Sequence, residues 1–375
     1  MLVLLVLLFA ASANDAQDWL ARARSAAASK DTGLALEAAH RAEELGGDDP
    51  AVLLALADLY GGPLADPAKA ARLGARYAER KLDDQTAWRR LAAFCLATRQ
   101  PDCAVDAAIR GLPVDDSAQL HGLLGRAYAE RKDWGKAGAE LARSVELNPY
   151  DEDAHFRLAQ LYLFQQNFSS AAAALEKARK VFDKSAQIEL ALGVAYYGLR
   201  DFPGAVDQFL RTIRLAPDVP QPYVFLGRIL EHAGDRMPEI TARFAEFEAR
   251  NPGDQLGYIL HAKAIVLQLP LSGYPPEAQN AEGLLKQALE IDAGQAEAQY
   301  LLGTLLERKG DLAGAVTRLE RSIALNPKSP LPHYRLARVY AKLGRTADAE
   351  GERALHQKLS EEESPADRHS LSGGR

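Results

Sequence analysis

A spacing of 34 residues recurs along this chain, and it constrains the fold more than any other feature. Three stretches begin 34 apart: LLGRAYAERKDWGKA from Leu123, RLAQLYLFQQNFSSA from Arg157 and ALGVAYYGLRDFPGA from Ala191. Leu124, Leu158, Leu192 and Leu226 fall in register, as do Gly125, Ala159, Gly193 and Gly227. Tyr128, Tyr162 and Tyr196 follow, with Leu230 next, and Ala137, Ala171 and Ala205 continue the lattice. Later the frame returns as Leu302 with Leu336, Gly303 with Ala337 and Ala315 with Ala349. Pro149 and Pro217 close their units, with Asp183 between them, and Asn-Pro pairs at 148–149, 251–252 and 326–327 punctuate unit ends. A unit this short cannot bury its apolar face alone, so neighbours must stack.

The residue types within one unit specify a helical hairpin. His121, Leu124 and Tyr128 recur at three- and four-residue steps, the stripe of a half-buried helix. Gly125 and Ala137 have almost no side chain, which lets two helices approach closely. Leu141 and Ser144 continue the packed face of the second helix, and Asp133 falls in the short turn, where a carboxylate suits a helix N-terminus. Pro149 lacks an N–H and disfavours helix at the residue before it. The composition agrees: Ala, Leu, Arg and Glu are abundant helix formers, and β-branched residues are sparse.

The pattern resembles the tetratricopeptide repeat, a helix–turn–helix unit of 34 residues. The resemblance runs from about residue 16 to 358, with ten units starting near 16, 50, 85, 118, 152, 186, 220, 255, 296 and 330. The first two and the seventh and eighth are degenerate. It implies an all-α chain, a right-handed α-solenoid of about ten hairpins over residues 14–359. Residues 360–375 read as a disordered tail, and Arg353 with His356 as marks of a solvent-facing last helix.

Leu2 to Ala11 is apolar and too short for a comfortable membrane span. Ala11-Ser12-Ala13 fits a small-x-small cleavage site, so residues 1–13 read as a signal peptide cut after Ala13. An uncleaved anchor is the alternative, since the segment opens without Lys or Arg. No cysteine follows it to carry a lipid, and no other segment reaches membrane-spanning length without charges. The Arg- and Ala-rich style points to a bacterial protein, periplasmic or secreted.

Net charge is −6, with 45 Lys and Arg against 51 Asp and Glu, which argues against a nucleic-acid binder. No phosphate loop, nucleophile elbow, zinc-protease motif or dinucleotide fingerprint occurs, so no catalytic residue, cofactor or metal is expected. His121, His155 and His333 hold the fourth place of their repeats, where packing at helix starts explains them better than chemistry. Cys95 and Cys103 face each other across the turn in this kind of hairpin. They are candidates for a disulfide in an exported protein, or two buried thiols.

In tetratricopeptide domains the first helices line a concave face on which peptides lie. Carried over, this singles out Phe156, Gln160, Leu163, Phe164, Leu190, Val194 and Tyr197, with Arg126, Arg228 and Lys263 as charged groups. Arg126, Arg228 and Arg338 share one repeat place; Tyr300 and Tyr334 share another. Such a strip suits a partner segment, because Arg and aromatic residues dominate binding hot spots. It could equally be internal packing between neighbouring first helices. The Lys/Asn set that clamps chaperone C-termini is missing: the corresponding places hold Gly122 with Arg126, and Phe156 with Gln160. The segment 269–280, LPLSGYPPEAQN, reads as a stiff loop with Tyr274 displayed, a partner contact or a plain spacer. The expectation is a non-enzymatic scaffold that binds a protein or peptide segment, in envelope assembly, secretion or polysaccharide export. Self-association through the terminal repeats is compatible with it, and no membrane span remains once the signal is removed. The alternative is an accessory subunit that presents substrate to an envelope enzyme.

Overall fold

Repetition of the hairpin is visible first in its turns. Lys132, Gln166 and Arg200, 34 apart, all adopt a left-handed backbone (φ +63°, +56° and +61°) between the two helices of their hairpins. Gly310 and Gly344 hold the corresponding turns later in the chain, at φ +90° and +74°. Glycine takes this conformation freely, whereas a side chain makes it costly, which marks the turn as imposed by the packing around it. After the turn an Asp or Asn starts the second helix: Asn167, Asp201 and Asp311 accept hydrogen bonds from the N–H of Ser170, Gly204 and Gly314. Two turns differ: Arg345 follows Gly344, and Asp133 does not cap. Asp133 instead pairs with Lys136 at 3.4 Å.

The computed structural model describes residues 2–362, and side chains from Asp15 onward. Among the described residues there are twenty α-helices and no strand. They divide into two units, Met1–Val181 and Phe182–Arg375.

The first unit holds five hairpins: α1 (Leu2–Ala28) with α2 (Thr32–Gly46), α3 (Pro50–Gly61) with α4 (Pro67–Arg80), α5 (Gln85–Ala97) with α6 (Pro101–Gly111), α7 (Ala118–Glu130) with α8 (Trp134–Leu147), and α9 (Glu152–Phe164) with α10 (Phe168–Arg179). One continuous core runs through them, from Leu20, Leu53 and Leu56 through Leu73 and Trp88 to Leu120, Leu124 and Leu141. Close approach at each level depends on small residues. A Cβ on Gly125 would stand 2.7 Å from Leu141 Cγ and 3.0 Å from its backbone nitrogen, so even alanine would push α7 and α8 apart. One turn earlier, Ser144 Oγ donates to the Ala118 carbonyl at 2.7 Å and ties the start of α7 to α8.

The second unit also holds five: α11 (Ala186–Gly198) with α12 (Phe202–Leu215), α13 (Gln221–Arg228) with α14 (Met237–Arg250), α15 (Gln255–Gln268) with α16 (Pro276–Ile291), α17 (Ala296–Lys309) with α18 (Leu312–Leu325), and α19 (Pro330–Lys342) with α20 (Thr346–Glu362). The same devices recur. A Cβ on Gly303 would meet Leu319 Cγ at 2.8 Å, and Ser322 Oγ donates to Ala296 O at 2.8 Å. The α13–α14 hairpin departs from the pattern. α13 stops at Arg228 and gives way to two short 3-10 turns, Leu230–His232 and Gly234–Arg236. Ile229, Leu230 and Ala233 are buried at that break, and the rings of Tyr223, Phe244 and Phe247 pack the start of α13 on α14.

Two expectations are corrected. The segment 269–280 is a loop only as far as Pro275, because Pro276, favoured at a helix start, opens α16. Nor is Tyr274 displayed: it is partly buried, its hydroxyl bonds buried Glu282, and Lys309 stands over its ring. Arg308 donates to the carbonyls of Pro270 and Gly273, so the loop is pinned to the end of α17, leaving Leu271 fully exposed. Second, residues 360–362 continue α20 as helix rather than starting a disordered tail. The rest of that tail, 363–375, lies outside the described residues, as do the side chains of the proposed leader. α20 is covered on one side only, with Ala349 its one buried residue.

Candidate partner groove

The first helices of three successive hairpins, α5, α7 and α9, enclose a groove of about 520 Å³ in the first unit. Its apolar wall is Ala93, Leu123 and Leu141; its polar wall is Arg89, Arg90, Gln119, Arg126 and Arg157. The side chains project together because the helices repeat in register. Gly122 keeps α7 thin at this level, where a Cβ would lie 3.2 Å from Ser144 Oγ.

Three of the four guanidinium groups are already paired. Arg89 Nε lies 2.8 Å from the buried Asp115 carboxylate, and its Nη1 donates to Gln119. Arg90 sits 3.0 Å from Asp58, and Arg157 Nε 2.6 Å from Asp153, one turn back on α9. Asp151, also in the wall, accepts from Ala154 N–H and caps α9. Arg126 forms no hydrogen bond or ion pair among the described residues. Burial first, and the like charge of Arg157 second, lower its pKa from the ordinary arginine value, against the pull of Glu130 and Asp153.

The residues singled out from sequence are distributed as follows. Phe156, Gln160, Leu163 and Phe164 lie on α9 of the first unit. Gln160 and Phe164 are exposed, and Phe156 and Leu163 are partly buried. Phe164 is 69% exposed, its ring 5.1 Å from that of Trp134. Leu190, Val194 and Tyr197 lie on α11 of the second unit, partly buried against its own core. Tyr197 meets Phe202 edge-on at 6.0 Å and Phe225 of α13 at 5.5 Å. Tyr197 therefore packs against a neighbouring hairpin. Arg228 stands 5.5 Å from the Phe225 ring, and Lys263 is held by Glu297 at 2.6 Å. Only Arg126 lines the groove.

The histidines at the fourth repeat place are bonded where they stand. His121 touches Glu140 and Asp116 at 2.6 and 2.7 Å, His155 the Pro149 carbonyl at 3.0 Å, and His333 Glu352 at 2.6 Å. Cys95 and Cys103 are joined as a disulfide, with Cα atoms 5.7 Å apart, between α5 and α6. Among the described residues no group of His, Cys, Asp and Glu could hold a metal ion, and no helix is long and apolar enough to cross a membrane.

Sequence reasoning missed three buried carboxylates of the second unit, of which Glu189 on α11 lies 2.8 Å from Arg211. Glu307, at the end of α17, is met by Arg335, Arg338 and Lys342 of α19 at 3.5, 3.4 and 2.7 Å. Glu282 on α16 is met by Lys286 at 2.6 Å, Lys309 at 3.0 Å and the Tyr274 hydroxyl. Burial by itself would raise the Glu282 pKa. The bonds from Lys286, Tyr274 and Lys309 outweigh it and bring it down to about 2. The available signal was an acid in an apolar register: Glu307 ends the run LLGTLLE.

The chain is a tetratricopeptide-repeat protein. The family described as tetratricopeptide repeat matches residues 156–220 and 190–235, and that described as TPR repeat matches 306–344. Tetratricopeptide repeat protein 34 of Homo sapiens is 26% identical over 175 residues, covering 46% of this chain and 27% of that protein. Tetratricopeptide repeat protein 37 of Xenopus laevis is 25% identical over 223 residues, covering 57% of this chain and 14% of that protein. The chain thus spans well under half the length of these relatives. Among solved structures, the C-terminal part of a TPR repeat-containing protein from Cytophaga hutchinsonii matches with TM-score 0.49 and 15% identity, over 75% of this chain and 98% of that one. The fold is that of a protein–protein interaction scaffold.

Proposed function

We propose that this chain is a non-enzymatic scaffold that holds a segment of a partner protein in the groove of α5, α7 and α9. The observation that carries this reading is the groove itself. Successive first helices, with Leu141 of α8 between them, supply an apolar strip and an arginine-rich wall around one open volume, and arginine is enriched in binding hot spots. Its scaffold is stiffened where it counts, since the disulfide ties α5 to α6 beside the groove. Export belongs to the same proposal and rests on the apolar leader before Ala13 and on the cysteine pair. The setting would then be envelope assembly, secretion or polysaccharide export.

A photo-crosslinking residue in place of Leu123 tests the groove. A protein adduct should form in the native host, and Ala93→Trp, which fills the open side from an exposed position, should abolish it. An adduct that persists in Ala93→Trp at wild-type yield would exclude the groove. N-terminal sequencing of the protein recovered from its host tests the leader: Asn14 as first residue is expected, and an intact Met1 would refute cleavage.

A further inference from the structure

We propose that the groove recognises an acidic segment by seating one aspartate or glutamate side chain on Arg126. This deepens the groove reading above and rests on it. A guanidinium carries five N–H donors and a charge that cannot be shed at ordinary pH. Leaving such a group partly buried without a partner is unfavourable unless something else completes it. Every other cation in the groove wall has its own anion: Arg89 has Asp115, Arg90 has Asp58 and Arg157 has Asp153. Asp151 is committed to the N-terminus of α9, which leaves Glu130, exposed at the end of α7, as the remaining acid near Arg126.

The repeat itself shows that the vacancy is particular to this hairpin. Arg338 holds the same repeat place as Arg126, and it is met by Glu307 of the preceding first helix. Glu307 lies five residues after Leu302. The matching place in the helix preceding Arg126, five residues after Leu91, holds Leu96, which is buried and apolar. The chain therefore has a way to neutralise this arginine and does not use it here. One unmet guanidinium among three closed ion pairs calls for a single negative charge with two coplanar oxygens, which a carboxylate supplies bidentately. A phosphate dianion would bring a second charge for which the groove keeps no free cation. The groove runs across three helices, so it has room for the flanking residues of a segment as well as the carboxylate.

The test uses the full chain and two capped pentapeptides, acetyl-Ala-Ala-Glu-Ala-Ala-amide and its Gln counterpart, read at the Arg126 Nε–Hε resonance by NMR and, for every variant, by isothermal titration calorimetry. The Glu peptide should shift that resonance saturably, and the Gln peptide should bind about tenfold more weakly or worse. Arg126→Met should abolish binding of the Glu peptide while melting at or above the wild-type temperature, since it removes a charge with no partner. Equal binding of the two peptides, or no saturable shift with the Glu peptide, overturns the proposal. So does a marked fall in melting temperature for Arg126→Met, which would make the arginine structural. A free alanine peptide or acetate that binds Arg126 as well as the Glu peptide would assign the site to a chain terminus or a small acid and likewise overturn it. The two readings separate cleanly. If the Leu123 adduct survives Arg126→Met but not Ala93→Trp, the groove stands and the carboxylate assignment falls; if it survives both, the groove falls.

Discussion

Arg126 and Arg338 occupy the same place in their repeats and meet opposite fates. In the second unit Arg338 shares the buried Glu307 with Arg335 and Lys342, and stands 5.9 Å from the Tyr334 ring. In the first unit Arg126 faces the groove without an ion pair, Glu130 and Asp153 acting on it only from beyond bonding distance. Arg228, the third member of the set, stands over Phe225, and the matching place before it holds Tyr197. One repeat place thus gives an ion cluster, an aromatic contact or an arginine without an ion pair, according to its surroundings. At this repeat place the second unit closes Arg338 on an acid, and the first leaves Arg126 without an ion pair.

The sharpest way to break that contrast is Glu307→Gln. It strands three cations around a buried site and should cost about 3 kcal/mol in urea denaturation. A variant as stable as wild type would show that the cluster is decorative. Reduction of Cys95–Cys103 should weaken the first unit by about 2.5 kcal/mol, the chain-entropy value for a loop this short. The second unit should be untouched, since both cysteines of the chain lie in the first. An unchanged mass after alkylation without reductant is expected; labelling of both thiols would rule the bridge out.

Acid should act on the second unit through Glu282. The folded pKa of Glu282, about 2, lies below the ordinary 4.5, so its ion pairs contribute in full above pH 4.5. That contribution is lost as pH falls from 4.5 towards 2, because the unfolded chain takes up the proton first. Glu282→Gln should flatten the acid limb of a stability–pH profile over that window by on the order of 2 kcal/mol. A smaller effect is expected at the turns. Lys132→Gly should gain about 0.5 kcal/mol by relieving the left-handed backbone, and Gly310→Ala should lose about 1 kcal/mol. The least effect on stability belongs to Arg126→Met, near zero or slightly favourable, and that near-silence is what separates a binding arginine from a structural one.

The hairpin class was legible in the chain because its signals are local. Leu124 with Gly125, Leu302 with Gly303 and their 34-residue echoes specify which helix faces pack, and Gly125 against Leu141 shows why nothing larger fits. The candidate site was legible only in part. Arg126 stood out as a shared repeat place, whereas Arg89, Gln119 and Arg157 did not, and Tyr197 was read as groove although it packs on Phe225. A period marks which residues are equivalent but carries no information on whether a neighbour three or four turns away in space satisfies them.

The amino-acid sequence by itself determined an all-α chain of stacked tetratricopeptide hairpins, because helix stripes, small-residue contacts and turn residues act over one repeat length. Tertiary structure alone decided which charges are spent. Glu307 reaches Arg338 across 31 residues of chain, Arg89 finds Asp115, and Arg126 is left with only the longer-range pull of Glu130 and Asp153. Compensation of a charge depends on the distance and burial of its neighbours, and those exist only once adjacent hairpins have been laid side by side.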